Sequence, residues 1–262
     1  MKIRWTTTAS LLIESEGVMI AFDPFMEMPL DKDIDEPGRP ELKDLYRSAD
    51  RVYISHGHFD HIYHFKDLYK GLDTPIYGTK EPVKSLTRDG LDPSQLHEIA
   101  PGYKETFGPF EIEAYQGRHC KFDLPIVLST IFSRRTLTNL KRLREIQALR
   151  DLYLEEGEML FYELRLGGKR VQIMGSMGMD DETVYPEGAD LLVMALQGRA
   201  DQDKYALQFV EKLKPKKIFL YHIDDSFPPM SGDVDTLGFE INVKKKFGIP
   251  CIRPEKNREY TL

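Results

Sequence analysis

The sequence predicts an α+β fold, and two patterns of apolar residues carry that prediction. In the first third of the 262-residue chain, short apolar runs are separated by turn residues, which is typical of strands and hairpins. In the final third, apolar runs of strand length alternate with segments of helix length. The sequence contains no repeat of fixed period. The two parts could nevertheless form similar halves that pack face to face.

The predicted elements of the first third begin with a hairpin. The apolar runs 11–13 and 18–22 flank the turn 14–17, and Asp23-Pro24 ends the second run because proline cannot continue a strand ladder. Residues 26–48 are rich in Pro, Asp and Glu and are predicted as a surface loop with a short helix. The next predicted elements are strand 52–54, helix 64–72, and strands 76–78 and 110–115.

Residues 134–157 interrupt this rhythm and are predicted as a helical insertion. Leu or Ile recurs every third residue from Leu137 to Leu152, so the apolar side chains drift by about −60° per step around a helix. Either several surfaces cover the segment or it forms two shorter helices. Six bases and one acid occupy 134–150, and four acids with no base occupy 151–158, which opposes a helix dipole. The segment is either a solvated helix, or a lid or dimer helix whose basic half faces an anion or an acidic partner.

The final third is predicted to alternate strands and helices after a hairpin at Gly167-Gly168, a pair that favours a tight turn. The runs 191–195 and 217–221 are candidates for buried strands because they are almost entirely apolar. The predicted elements in order are strands 159–166, 170–174 and 191–195, helix 203–213, strand 217–221, helix 238–247 and strand 249–252.

Composition and charge narrow the range of partners. The chain has 36 Lys and Arg against 43 Asp and Glu, and its net charge of −7 argues against a general nucleic-acid binder. Two cysteines suit a reducing compartment and not a disulfide scaffold. The sequence shows no leader pattern, no lipidation motif and no apolar run near the ~20 residues that span a bilayer. We therefore expect a cytoplasmic protein with a small-molecule substrate and no nucleic-acid or membrane partner.

Four of the seven histidines fall within nine residues, directly after predicted strand 52–54. Residues two apart in an extended segment point to the same side, so His56 and His58 can present two imidazoles to one point. Asp60 and His61 follow a turn and can address a neighbouring point. Imidazole with carboxylate suits zinc, iron, manganese or nickel better than calcium or magnesium. The cluster therefore predicts a metal centre.

The His-x-His-x-Asp-His pattern at 56–61 resembles the signature of the metallo-β-lactamase superfamily. This resemblance implies a single domain over 1–262, built as a four-layer αββα sandwich with the helical insertion 134–157 within it. The segment 5–10 and the motif spacing are most similar to the ascorbate-6-phosphate lactonase-like branch of small bacterial hydrolases. In that branch a Gly-His pair commonly stands at the positions of Thr7-Thr8.

The resemblance also implies roles for individual residues. Asp23, at the end of an early strand, matches an acid that supports the metal centre from outside the ligand shell. His119 matches the last histidine of the first metal site, and His222 matches the last histidine of the second. The implied ligands are His56, His58 and His119 for one ion, and Asp60, His61 and His222 for the other.

A departure with larger consequences for the metal centre is at position 176. Ser176 stands where the family places an Asp that bridges the two ions. A neutral hydroxyl is a poor bridge between cations, so the first site keeps three histidines and an open position. The second site loses a charge and is expected to bind its ion more weakly. Asp180 or Asp181 either replaces the missing ligand or lies at the surface at a helix start.

The implied activity is hydrolysis with one or two divalent ions. Zinc fits best, with manganese, iron or nickel as alternatives; such an ion lowers the pKa of bound water toward about 7, and the hydroxide attacks an ester, lactone or phosphoester of a small molecule. Asp60 is the implied catalytic residue, which orients the nucleophile or relays its proton. The alternative is a non-catalytic metal-binding or ligand-sensing protein of the same fold, because Ser176 replaces the bridging acid. The segment 134–157 could also mediate a homo-oligomer.

Three further positions near these motifs allow two interpretations each. Asp224 or Asp225 either orients His222 or belongs to an ordinary loop. Arg199 either meets an anionic substrate or forms a structural salt bridge. Cys120 follows His119 and is predicted as a buried structural thiol and not a nucleophile, because neighbours on a strand point to opposite faces.

Overall fold

The computed structural model describes residues 1–26 and 39–262, and within them the strands form two seven-stranded sheets. The predicted loop and short helix over 26–48 lie partly outside the described residues. Helix α1 (Arg39–Arg47) is found in the second part of that stretch.

The first sheet joins the N-terminal strands to the last strand of the chain. Four strands on one side pair antiparallel, and the strands that follow pair parallel. Across the sheet the order is β14 (Glu259–Thr261), β1 (Lys2–Trp5), β2 (Leu11–Ser15), β3 (Val18–Phe22), β4 (Arg51–Tyr53), β5 (Ile76–Gly78) and β6 (Leu96–Glu98).

The second sheet repeats this arrangement, with antiparallel strands on one side and parallel strands on the other. The predicted hairpin at Gly167 and Gly168 is present, and both glycines have a positive φ that other residues rarely adopt. Across the sheet the order is β13 (Cys251–Ile252), β12 (Ile218–Tyr221), β11 (Leu191–Ala195), β10 (Lys169–Met174), β9 (Leu160–Leu166), β8 (Phe110–Gln116) and β7 (Lys104–Phe107).

Helices occupy the connections between strands. The predicted helix 203–213 is divided into two at Ala206, and the predicted helix 64–72 is shorter than expected. The remaining helices are α2 (Phe59–Ile62), α3 (Phe65–Tyr69), α4 (Lys80–Arg88), α5 (Leu124–Ile131), α6 (Arg134–Thr138), α7 (Leu140–Leu152), α8 (Gln202–Tyr205), α9 (Leu207–Leu213) and α10 (Leu237–Phe247).

The main core lies between the two sheets. Phe22 and Tyr53 from the first sheet pack against Tyr162 from the second, with ring centroids 5.2 and 5.8 Å from the Tyr162 ring. On the outer side of the first sheet, Val52 and Ile54 join a second apolar cluster with side chains from the neighbouring helices. Helices α9 and α10 cover the second sheet. The molecule is therefore the predicted α+β sandwich.

The segment 134–157 forms two helices, α6 and α7, separated at Asn139, which has a non-helical φ of −127°. Ile146 and Leu149 of α7 pack against the outer cluster of the first sheet, and Tyr153 is buried in it. Only part of the apolar residues that recur every third position therefore pack against the rest of the molecule, and Leu137, Leu140 and Leu152 are exposed. Among the described residues, no helix is both long and apolar enough to span a membrane.

Candidate metal centre

The ends of several strands bring the predicted ligands to one edge of the sandwich. Asp23 directly follows β3, His222 directly follows β12, and His119 comes three residues after β8. His56 and His58 lie in the extended segment after β4, and α2 begins immediately after His58. The first turn of α2 then carries Asp60 and His61.

The six predicted ligands form two groups of three. Within each group, one ligand atom from every residue lies within 4.8 Å of the others. The imidazoles of His56 and His61 link the two groups, with ring centroids 3.9 Å apart. The groups are His56, His58 and His119, and Asp60, His61 and His222.

Alternation along the extended segment orients the first group as predicted. His56 Nε2 lies 3.1 Å from His58 Nδ1, so both imidazoles address one point. His119 completes the group, with its Nδ1 facing the Cys120 carbonyl oxygen at 2.9 Å. That contact with a carbonyl favours a proton on Nδ1 and leaves Nε2 of His119 as the free ligand atom.

Asp23 supports both groups although it belongs to neither. Its Oδ1 accepts a hydrogen bond of 2.7 Å from the Ser55 backbone N–H, and its Oδ2 lies 3.0 Å from His61 Nδ1. The Ser55 hydroxyl lies 3.0 Å from His56 Nδ1. One buried carboxylate therefore fixes the start of the motif and orients His61, as carboxylates behind metal-binding histidines do. The role of Ser55 escaped the sequence analysis.

Burial makes the first group electrically neutral. It lowers the pKa of His58 to about 4, holds that of His56 well below its usual range, and lowers that of His119. Neighbouring imidazoles add to the effect on each. Neutral imidazoles have free lone pairs, which is the protonation state that binds a metal ion.

The second group is charged. Burial opposes ionisation of Asp60, but the imidazoles of His61 and His222 lower its pKa below the ordinary range. Burial likewise opposes protonation of His61, but Asp23 and Asp60 raise its pKa. His222 Nε2 lies 3.5 Å from Asp60 Oδ2, within reach of a common ion.

Three residues around the centre hold a backbone conformation that favours glycine. Thr8, Asp23 and His222 have φ of 48°, 44° and 56°, and such conformations cost on the order of 1 kcal/mol each. The His222 N–H donates to the Thr8 carbonyl at 2.9 Å, which ties the last ligand to the loop after β1. Three of the seven non-glycine residues with positive φ in the described part of the chain therefore lie where ligand directions are set.

Asp224 acts on this loop and not on the His222 ring. Its carboxylate accepts hydrogen bonds from the Thr7 hydroxyl at 2.6 Å and from the Thr8 N–H at 3.0 Å, and it pairs with Lys256 at 3.0 Å. Of the two interpretations of Asp224, the contacts favour the one in which it orients His222, and it does so through the Thr8 backbone. Asp225 contacts the Ser231 hydroxyl instead.

Ser176 is buried, and its hydroxyl accepts a hydrogen bond of 3.1 Å from the Cys120 N–H, next to ligand His119. Cys120 itself is buried, which raises the pKa of its thiol to about 12 and suits a structural role. Asp180 and Asp181 both pair with Arg118, so the structure places neither in a ligand group. No helix starts at these acids among the described residues; Asp180 instead caps a turn.

Arg199 forms a structural salt bridge. Its Nε lies 2.7 Å from Asp201 Oδ1, and its Nη1 donates to the Lys121 carbonyl at 3.0 Å. It also lies 3.9 Å from Asp123. Arg199 thereby braces the loop that leads from His119 to α5.

The end of the segment 134–157 reaches the centre, which the sequence analysis did not foresee. The Leu154 carbonyl oxygen lies 2.2 Å from where a Cβ on Gly57 would stand, so only glycine fits between the first two histidines. Glu155 is partly buried and raises the pKa of His61, and the Arg150 charge lowers that of His58. The available signals were Gly57 within the motif and the change from bases to acids near 150.

Comparison with known proteins agrees with this geometry. The model of the β-lactamase superfamily domain matches residues 2–222. The chain belongs to the metallo-β-lactamase superfamily. A relative from Carboxydothermus hydrogenoformans, named a UPF0173 metal-dependent hydrolase, is 25% identical over 240 residues and covers 89% of both chains. The closer likeness to the ascorbate-6-phosphate lactonase-like branch stays a prediction.

Two solved structures show the same fold at low sequence identity. A metallo hydrolase from Ignicoccus hospitalis has a TM-score of 0.62 and 18% identity, covering 100% of this chain and 98% of its own. Zinc-bound PqqB from Methylobacterium extorquens has a TM-score of 0.59 and 12% identity, covering 98% of this chain and 88% of its own.

Proposed function

We propose that this metal-dependent hydrolase cleaves an ester, lactone or phosphoester bond of a small molecule, with zinc held by the two ligand groups. The observation that carries the proposal is the pair of three-residue groups, each with ligand atoms within 4.8 Å, joined through the adjacent rings of His56 and His61. Related superfamily proteins carry the name metal-dependent hydrolase, and PqqB was solved with zinc.

The residues present fit a divalent transition metal. The first group offers three imidazoles whose lowered pKa values keep them neutral, and the second offers an ionised carboxylate with two imidazoles. Nitrogen and carboxylate donors in these numbers are typical of zinc sites with an open position. When bound there, zinc supplies Lewis acidity and ionises water near neutral pH.

Asp60 is the residue we assign to orienting the nucleophile. Its Oδ2 lies 3.8 Å from His61 Nε2 and 3.5 Å from His222 Nε2, and its pKa is below the ordinary range, so it is ionised at neutral pH. An ionised carboxylate at this position orients a nucleophilic water by accepting a hydrogen bond from it. Asp23 holds the Ser55 backbone, and the Ser55 hydroxyl contacts the His56 ring. The Leu154 carbonyl lies against the motif at Gly57.

A second candidate is metal binding without turnover. It is favoured by Ser176, whose hydroxyl is engaged with the Cys120 N–H and adds no charge to the second group. Weaker binding of one ion would leave the hydrolytic arrangement incomplete.

The test compares His58→Ala with His97→Ala as a matched control. His97 stacks on Tyr77, with ring centroids 4.8 Å apart, and belongs to neither ligand group. We expect zinc-loaded wild type and His97→Ala to hydrolyse members of a panel of lactones, esters and phosphodiesters. We expect His58→Ala to lose the zinc of the first group, and turnover with it. Elemental analysis that finds unchanged zinc in His58→Ala would overturn the ligand assignment, and zinc-loaded wild type without turnover would favour the second candidate.

A further inference from the structure

Exposed apolar side chains are concentrated in one stretch of the molecule, residues 122–154, which we call the apolar arm. Among the described residues, ten of the 14 large apolar side chains classed as exposed lie in this arm. Apolar side chains that are exposed singly are normal, whereas a concentration of them marks an interaction surface. The arm carries most of the large apolar side chains that are exposed in the described part of the chain.

Helix α5 is the centre of the arm. It reads Leu-Pro-Ile-Val-Leu-Ser-Thr-Ile, and none of its side chains is buried. Leu124 is 69% exposed and Ile131 52%, and Phe132, just after the helix, is 73% exposed. The Asp123 side chain caps the helix through the Ile126 N–H at 2.9 Å, so α5 is a formed helix with its apolar face uncovered.

The arm also carries bases without local partners. Of the six between 134 and 150, Arg135 donates to the Ser231 carbonyl and Arg142 pairs with Glu145 at 3.4 Å. The other four are exposed, and their side chains make no hydrogen bond or ion pair with any residue in 1–26 or 39–262. These four are Arg134, Lys141, Arg144 and Arg150. The arm is thus a positively charged region of a protein whose net charge is −7.

We propose that the apolar arm is a peripheral docking surface for a bilayer that carries anionic phospholipid headgroups. Binding to a membrane interface increases with the apolar area buried and with electrostatic attraction to anionic lipids, and the arm supplies exposed apolar side chains and unpaired bases in one stretch of the chain. The expectation of no membrane partner rested on the lack of a spanning run and a leader, which peripheral binding does not require. The arm begins at Phe122, whose ring centroid lies 5.9 Å from that of His119, so docking places the metal centre beside the lipid surface.

Charge favours a lipid surface over a second copy of the chain. In a twofold dimer the same patch meets itself, so its net charge faces an equal net charge of the same sign. Six bases stand against three acids in 122–154, so two copies of the arm repel each other. An anionic bilayer satisfies the apolar and basic groups together.

The test is sedimentation of the full-length, zinc-loaded protein with vesicles. We expect binding to phosphatidylcholine vesicles containing one-third phosphatidylglycerol, weak binding to pure phosphatidylcholine, and release as salt rises from about 0.1 M to about 1 M. The variant Lys141→Glu/Arg144→Glu should bind at least about 25-fold more weakly, since each basic group near an anionic surface contributes about fivefold. The control Lys169→Glu/Lys245→Glu changes the net charge equally outside the arm and should bind like wild type.

A second pair of variants tests the apolar part. Phe132→Ser should weaken binding about tenfold, whereas Val184→Ser removes a side chain that is 88% exposed outside the arm and should have no effect. Wild type that stays in the supernatant with anionic vesicles would overturn the proposal. So would equal weakening by the arm variants and their controls. Light scattering that shows a dimer, dissociated by Phe132→Ser, would overturn it in favour of a second copy.

Discussion

The buried imidazoles of the first ligand group should make the metal-free protein sensitive to acid. Burial lowers the pKa of His58 from 6.5 to about 4 in the folded state. Between these pH values the unfolded chain binds a proton at this position and the folded protein does not. The contribution of neutral His58 to the free energy of unfolding is therefore present near pH 7 and is lost as the pH falls from 6.5 through 4. The gap of about 2.5 pH units corresponds to about 3 kcal/mol from His58 alone.

The assay is urea unfolding of metal-free wild type and His58→Ala from pH 7 to pH 4. We expect the free energy of unfolding of wild type to fall by about 3 kcal/mol more than that of the variant over this range. The raised pKa of His61 acts in the opposite direction, because its stabilisation is present below pH 6.5 and is lost as the pH rises. His61 is present in both proteins, so its contribution largely cancels in the comparison.

The slope with pH is the quantity that decides, because removing the imidazole also changes packing at every pH. His97→Ala should follow the wild-type slope, since His97 lies outside both ligand groups. Parallel curves for wild type and His58→Ala would refute the reasoning. They would mean that His58 takes up its proton in the folded state near its ordinary pKa, and so does not sit in the desolvated cluster described above.

Three further changes follow from the contacts of the site. Asp23→Asn removes the charge beside His61 and should weaken zinc binding by the second group about 10–100-fold in a chelator competition; unchanged affinity would contradict its supporting role. Ser176→Asp adds an anionic ligand and should strengthen binding of the second ion at least about tenfold in calorimetry; unchanged affinity would show that a side chain at position 176 does not reach the second ion. Asp224→Ala leaves the buried Thr8 N–H unpaired and should cost about 1–3 kcal/mol in urea unfolding; no loss would show that water replaces it.

The parts of the molecule whose conformation depends on neighbouring residues in the chain could be predicted from the sequence. The hairpin at Gly167-Gly168 follows from two adjacent glycines, and the convergence of His56 and His58 follows from alternation in an extended segment. The α+β class follows in the same way from apolar runs of strand length. Each of these depends on residues that are close together in the chain.

The rest depends on contacts between distant residues. The apolar run 126–132 has no periodicity that separates a strand from a helix, and it forms most of α5. Asp224 could be paired with Thr7 only once β12 and β1 were known to end together. The approach of Leu154 to Gly57 joins parts of the chain almost one hundred residues apart, which no local pattern encodes. Long-range placement, and not local propensity, limited the prediction of the site.

The contact between Gly57 and the Leu154 carbonyl has a consequence for comparing members of the superfamily. A side chain between the first two histidines cannot coexist with this backbone path, because a Cβ would lie 2.2 Å from the carbonyl oxygen. In a protein with a larger residue at this position, a backbone segment equivalent to the one at Leu154 must therefore follow another route. The identity of that single residue then indicates whether a second part of the chain can lie directly against the ligand motif.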